Sequence, residues 1–298
     1  MKILLENVNL SSTSGPNSFA QKLVKYMTSY DDVSFDDVPP DVRLCFIESN
    51  TSRSYGVPLY QRLDGIYFNT QQNHILQNAA MKSTYKIADG VIFQSEFNKE
   101  LIFKYFGPHD NYSIIHNGAD SLAINDNEVA QVLNCEKLWC CASSWRPHKR
   151  LNENLEYFLS HKEEGDCMVV AGDVATQDRL THDNIHYAGV LTQQQLYALY
   201  KAADYFIHLA WLDHCPNVVV DARACGCQII CSSTGGTKEI AGSNAIVIEE
   251  DPWNFEPVEL YSPPKLNFDR KIKNDKGDSE YDMSVVAKQY LDFLSSEV

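Results

Sequence analysis

Residues 203–240, ADYFIHLAWLDHCPNVVVDARACGCQIICSSTGGTKEI, constrain this chain more than any other part of it. They read as a short apolar strand (205–209), a loop, a helix, a second buried strand (228–231), a Gly235-Gly236 turn and another helix start. Strands alternating with helices in this way build α/β sheets of the Rossmann type. The first helix is expected to begin at Pro216, because proline suits the first helical position, where its missing N–H would have had no partner. The amides of Asn217 and Val218 would then point forward at the positive end of the helix dipole, a place for phosphate. Two acids stand eight positions apart, Asp213 in the loop and Asp221 inside the helix. Asp221 lies about a turn and a half in, where a carboxylate can accept hydrogen bonds from a sugar diol. An anion site flanked by two carboxylates implies a nucleotide-sugar pocket.

At 298 residues the chain is long enough for two ordinary domains with well-buried cores. Its formal charge of −15 argues against nucleic acid and anionic membranes as partners, while leaving room for a local basic patch. No run approaches the ~18 apolar residues of a membrane span. MKILLENVNL opens directly as a strand, without a signal-peptide pattern. Most of the nine cysteines sit in apolar strands (Cys45, Cys140, Cys141, Cys167, Cys231) and read as reduced core residues of a cytoplasmic protein. Cys225, Cys227 and Cys231 invite a metal reading as well, but they form no Cys-x-x-Cys and have no histidine at ligand spacing.

Along the rest of the chain the same alternation recurs. Residues 2–5 are a strand, SSTSGPNS a polar Gly-containing loop, and 18–30 a helix by the spacing of Phe19, Leu23, Val24 and Met27. Strands follow at 42–47, with a shorter candidate at 33–35, and at 66–68. Residues 77–88 form a helix, 91–94 a strand, and Ser95 caps a helix over 96–106. Asn117-Gly118 is a turn signal. An amphipathic segment near 128–133 precedes a strand at 138–142. Arg146, His148, Lys149 and Arg150 then make the densest basic cluster of an acidic chain, in a loop between strand and helix where phosphate sites are built; a solvated basic loop is the plainer alternative. Strands at 167–171 and 185–188 follow, and Thr192 caps a helix over 193–202. His208 reads as a core residue of its strand. After a strand at 245–248 the sequence turns polar and aperiodic over 251–281, as in a long surface excursion, before a helix at 285–294.

These motifs resemble the retaining glycosyltransferases of family 4, which have the GT-B fold: two Rossmann-like domains facing each other across a cleft. That family carries Glu, seven residues and a second Glu, then a small-residue helix end, a strand and a Gly-Gly turn. Asp213 and Asp221 keep the spacing, Ala224-Cys225-Gly226 the helix end, and Thr234-Gly235-Gly236-Thr237-Lys238-Glu239-Ile240 the turn. ADGVIFQSEFNKELIFKYFG, the Asn-Gly exit at 117–118 and GVLTQQQLYALYKAAD match the family too. Both acids are aspartate where the family has glutamate, which sets each carboxylate back about one methylene. A misplacement of ~1 Å near the chemistry can cost roughly a hundredfold in rate.

The resemblance implies an acceptor domain over residues 1–119, a donor domain over 120–282 and a C-terminal helix, 283–298, crossing back to the first domain. It implies a retaining, metal-independent transfer from a nucleotide diphosphate-sugar to a glycan or other hydroxyl acceptor, with no cofactor. Lys149 fits the family's diphosphate lysine. The arginine slot falls on Ser144, so Arg146 would reach in from a shifted position. Asp213 would contact the donor sugar, Asp221 the ribose hydroxyls and the Val190 backbone the base. Gly15 would lie near the donor phosphate, where a plain turn is equally open, and Asn69 stands where relatives place a histidine. Asp64 would shape a turn. A pseudoenzyme that binds a nucleotide sugar or glycan without turnover is the second reading, carried by the two aspartates and the missing histidine. A dinucleotide oxidoreductase would want Gly-x-Gly-x-x-Gly after a first strand, and neither Gly15 nor Gly235-Gly236 supplies it.

Overall fold

Apolar runs too short for helices, each followed by an amphipathic segment, fold into two parallel sheets. The computed structural model describes residues 1–12, 14–50, 56–129, 135–276 and 280–296. The chain divides into two units, Met1–Ala119 with Phe255–Val258 and Glu280–Val298, and Asp120–Asn254 with Glu259–Ser279.

The first unit runs β1 (Lys2–Glu6), α1 (Gly15–Met27), β2 (Ser34–Phe35), β3 (Val42–Phe46), β4 (Leu59–Leu63), α2 (His74–Gln77), α3 (Ala79–Tyr85), β5 (Gly90–Phe93), α4 (Glu96–Phe106) and β6 (Tyr112–Ile114). Its sheet has the order β2-β1-β3-β4-β5-β6, every pair parallel. In sequence order the second unit holds α5 (Ser121–Asp126), β7 (Leu138–Ala142), α6 (Leu151–His161), β8 (Cys167–Ala171), β9 (Ile185–Gly189), α7 (Gln193–Ala202), β10 (Tyr205–His208), α8 (Asn217–Ala224), β11 (Gln228–Ser232), α9 (Thr237–Ile240), β12 (Ile246–Ile248) and β13 (Lys271–Lys273). Its sheet order is β13-β12-β11-β10-β7-β8-β9, with only β13 antiparallel. The last helix, α10 (Met283–Leu294), returns to the first unit.

Both cores follow from the patterning. β3, β4 and β7 are buried at every position, as strands covered on both faces must be. In the first unit Phe19, Leu23 and Met27 of α1 meet Val286, Tyr290 and Leu294 of α10 over the sheet; each such side chain contributes roughly 1.5–3 kcal/mol on burial. Trp139, Phe158, Met168, Ile207 and Ile230 fill the corresponding place in the second unit. The nine cysteines are free thiols, Cys45, Cys140, Cys141, Cys215, Cys227 and Cys231 among them fully buried. Among the described residues no helix is long and apolar enough to cross a membrane.

Several expectations are corrected. The strand expected at 66–68 is absent, and β4 lies upstream at Leu59–Leu63. Its mixed sequence LYQRL hid it, because Gln61 and Arg62 are buried through hydrogen bonds rather than apolar contact. The helix expected at 77–88 is two, α2 and α3, and Asn73 caps the first by accepting from the Leu76 amide. α1 begins three residues earlier than its apolar spacing indicates, at Gly15 after the N-cap Ser14. Pro216 is the N-cap of α8 rather than its first helical residue, with φ −69° and ψ 121°. The amphipathic segment near 128–133 falls mostly on residues outside those described; the helix present is α5, capped by Asp120. The excursion over 251–281 is not all surface: it adds β13 to the sheet edge and sends Leu266 and Phe268 into the second core.

Candidate active site

The second sheet reverses its winding between β7 and β10: β8 and β9 extend it on one side, β11 and β12 on the other. Loops leaving the carboxyl ends of strands at such a switch point diverge and leave a crevice, the usual ligand site of open α/β sheets. The loop after β7 carries Arg146–Arg150 and the loop after β10 carries Asp213. They are tied together by the Trp211 amide, which donates to the His148 carbonyl at 2.8 Å.

Lys149 and Asp213 meet here, Nζ donating to Oδ2 at 2.5 Å, with the two side chains 18% and 14% exposed. Lys149 ends a short 3₁₀ turn, Pro147–Lys149, after which Arg150 takes a left-handed φ of 54°. Arg150 is itself consumed by the scaffold. It is buried, donating to Glu250 at 2.6 Å and to the carbonyls of Pro264 and Leu209 at 2.7 and 3.2 Å. That fixes the backbone from which Lys149 projects. Asn154 adds a clamp, receiving the Leu209 amide at 3.1 Å and donating to the Lys149 carbonyl at 3.3 Å.

Asp213 is held as firmly. Leu212 before it sits at φ 56°, an uncommon conformation for a branched side chain. The Asp213 carbonyl accepts from the Gly236 amide at 2.7 Å. A Cβ on Gly235, whose φ is +87°, would come within 2.5 Å of that carbonyl oxygen, so the Gly-Gly turn is needed for close approach to Asp213 itself. The carboxylate accepts at Oδ2 from Lys149 and from His208 Nε2 at 2.8 Å, and at Oδ1 from the His214 amide at 3.0 Å. Burial works against its charge, but the Lys149 ammonium and the His208 hydrogen bond outweigh burial and hold its pKa well below the usual carboxylate range. Burial drives the neighbouring imidazoles the other way, His148 to about 3 with help from Lys149 and His214 to about 4. His208 is lowered too, by burial first.

Asn217 and Val218 occupy the first two positions of α8, and the amides of Val219 and Val220 both turn back to the Pro216 carbonyl. Asp221 is buried in the same helix and accepts from Gln193 Nε2 of α7 at 3.1 Å. Val190 is 79% exposed on the short loop between β9 and α7, two residues before the capping Thr192. Arg146 is exposed at the start of the 3₁₀ turn, and its side chain makes no hydrogen bond or ion pair among the described residues.

The remaining two expected residues lie in the first unit. Gly15 is the first residue of α1, with no atom within 4 Å of an added Cβ. Asn69 is buried and accepts from the Gln71 amide at 3.1 Å, and its Nδ2 has no partner among the described residues. Asp64 does more than shape a turn. It pairs with the buried Arg62 and accepts from Gln94 at 2.5 Å. His208 and Gln193 escaped the sequence reading as site residues. A polar residue closing an apolar strand five positions before Asp213 was the available signal for the first; nothing local marks the second.

Two Rossmann-like parallel sheets in one chain are the architecture of the GT-B class of glycosyltransferase folds. Residues 136–256, less than half of the chain but most of the second unit, match the family model described as "Glycosyl transferases group 1". Among solved structures, HepE from Anabaena in complex with UDP is 15% identical, with a TM-score of 0.68 over 99% of this chain and 100% of that one. Sucrose-phosphate synthase from Thermosynechococcus elongatus is 12% identical, with a TM-score of 0.63 over 83% and 86%. The catalytic domain of starch synthase IV from Arabidopsis thaliana, bound to ADP and acarbose, is 12% identical, with a TM-score of 0.58 over 87% and 73%. No curated protein matches the chain by sequence.

Proposed function

We propose that this chain is a glycosyltransferase that moves a sugar from a nucleotide diphosphate-sugar onto a hydroxyl acceptor, with retention at the anomeric carbon and without a metal ion. The observation that carries this reading is the Lys149–Asp213 contact at the switch point, one helix start away from Asn217, Val218 and Asp221. Lys149, with Arg146 and the α8 amides, would take the charge that develops on the departing diphosphate. Preorganised donors of this kind are often the largest catalytic term, and they supply the positive charge that a metal would otherwise bring. Asp221 would hold the ribose diol. Two of the similar structures are complexes with UDP and with ADP, which supports a nucleotide donor here.

Asp213 suits an electrostatic role better than a proton-abstracting one. A carboxylate whose pKa is held well below the usual range is a weak base, and its oxygens already accept three hydrogen bonds. An inverting route that uses Asp213 as the base activating the acceptor is therefore disfavoured. The test is nucleoside diphosphate release from a panel of sugar nucleotides, with and without hydroxyl acceptors, in EDTA, followed by NMR of the product's anomeric centre. Release in EDTA with a retained configuration is expected. A requirement for Mg²⁺ or an inverted product refutes the corresponding part. Nucleotide binding without turnover across the panel would turn the assignment to a binding protein on the same fold.

A further inference from the structure

We infer that His208 is a positioning residue for Asp213, a strand-borne imidazole that registers the carboxylate to the sheet independently of Lys149; the inference rests on the donor-site reading above. Three donors hold Asp213, and they differ in what stands behind them. The His214 amide belongs to the adjoining residue and travels with the loop. Lys149 reaches in on a flexible four-carbon stem and is the cation expected to turn toward a diphosphate. His208 alone projects from the sheet. It closes β10, is 4% exposed, and lies nearly parallel to the Phe206 ring, 12° off at 6.3 Å.

The tautomer follows from its surroundings. The charged and titratable groups facing His208 are Asp213 of the loop, and Lys149 and His148 of the 3₁₀ turn. Burial, with Lys149 adding to it, outweighs the opposing pull of the Asp213 carboxylate and lowers the pKa of the ring, which favours its neutral form. Opposite an ionised carboxylate, Nε2 must therefore carry the proton and Nδ1 must be bare. If Lys149 leaves for a phosphate, Asp213 keeps a rigid partner on Oδ2 and stays aimed at the donor sugar. Without His208 the carboxylate is free to follow the ammonium, which weakens the chemical step more than substrate binding.

Two measurements on the full chain test this. In long-range ¹⁵N–¹H spectra, His208, assigned by loss of its signals in His208→Gln, should be the neutral Nε2–H tautomer between pH 6 and 8. That signature should persist in Lys149→Ala and change in Asp213→Ala. An imidazolium, an Nδ1–H tautomer, or a signature lost with Lys149 overturns the inference. With UDP-glucose as donor, His208→Leu should lower kcat roughly 10–100-fold while KM stays within about threefold, and His208→Gln, which keeps an N–H donor, should recover most of the loss. Equal losses in the two variants, or a change confined to KM, overturn it. Failure of the wild-type chain to turn over any sugar nucleotide would instead count against the transferase reading, and the tautomer measurement would still decide the role of His208.

Discussion

Each unit of this chain encloses a cation–aspartate pair at the carboxyl end of its sheet, and the two pairs are built for different ends. In the first unit Arg62 is wholly buried and each of its three guanidinium nitrogens has a partner. Nε donates to the Tyr290 hydroxyl at 2.8 Å, Nη1 pairs with Asp64, Nη2 donates to Asn117 at 2.7 Å, and the guanidinium lies 4.1 Å from the Phe19 ring centre. Through Tyr290 it ties α10 to β4. In the second unit the Lys149 ammonium has three protons, one acceptor in Asp213 and part of its surface in solvent. A cation wholly buried, with every nitrogen tied to the scaffold, is a rivet. One that is held in place with donors left over can receive a ligand. Burial of the pair alone does not separate the two cases; unspent hydrogen-bonding capacity does.

The comparison can be broken from either side. Arg62→Met should have the largest effect on stability, because it leaves the Asp64 carboxylate without its cation in the interior and takes a donor from Asn117 and from Tyr290; breaking a buried pair by removing one partner costs roughly 3–5 kcal/mol. Chemical denaturation should show the loss, and a change under about 1 kcal/mol would show that the network is not a rivet. Lys149→Ala should cost less stability than Arg62→Met, because the Asp213 carboxylate keeps the His208 and His214 donors, yet reduce nucleoside diphosphate release roughly 10²–10³-fold, the magnitude of a lost preorganised donor. A variant that unfolds instead would place Lys149 in the same class as Arg62.

Smaller effects sharpen the contrast within the second unit. Asp221→Ala should weaken nucleotide binding by about tenfold with little change in turnover of bound donor, as expected for a contact made equally in ground and transition states. Unaltered affinity in a titration would remove Asp221 from the ribose. The pH dependence of stability reports on the buried imidazoles beside the pair. His148 and His214 are held neutral down to about 3 and about 4, whereas in the unfolded chain they titrate near the ordinary 6.5. Between those limits the unfolded state binds more protons, so stability falls as pH drops below about 6.5 and levels off only near the folded values. His148→Gln should flatten that slope in thermal melts from pH 7 to 5; a slope as steep as before would assign it elsewhere.

How far the sequence revealed this arrangement depended on what each residue does. Strands such as Leu138–Ala142 and Cys167–Ala171 were legible to the residue, because a buried parallel strand is a short continuous apolar run. So was the cap at Thr192, whose hydroxyl and the Gln195 amide form a capping box. β4 was not, since Gln61 and Arg62 enter the interior through partners far away in sequence, Met81, Asn117 and Tyr290. Asp213 and Lys149 could be marked from spacing and local composition. Their contact depends on the order of strands β10-β7, which places two loops side by side that are separated by more than sixty residues. His208 was hidden for the same reason. On a strand between Ile207 and Leu209 it looks like core, and only the fold supplies the carboxylate that gives it a purpose.

The most direct measurement is an isothermal titration of UDP, GDP and ADP into the intact chain and into Lys149→Ala. At least one diphosphate should bind the intact chain, and its affinity should fall about tenfold or more in the variant, the cost of one charge-assisted contact. Binding of the same strength to both proteins, or to neither, would contradict the assignment of Lys149 and Asp213 to a donor site.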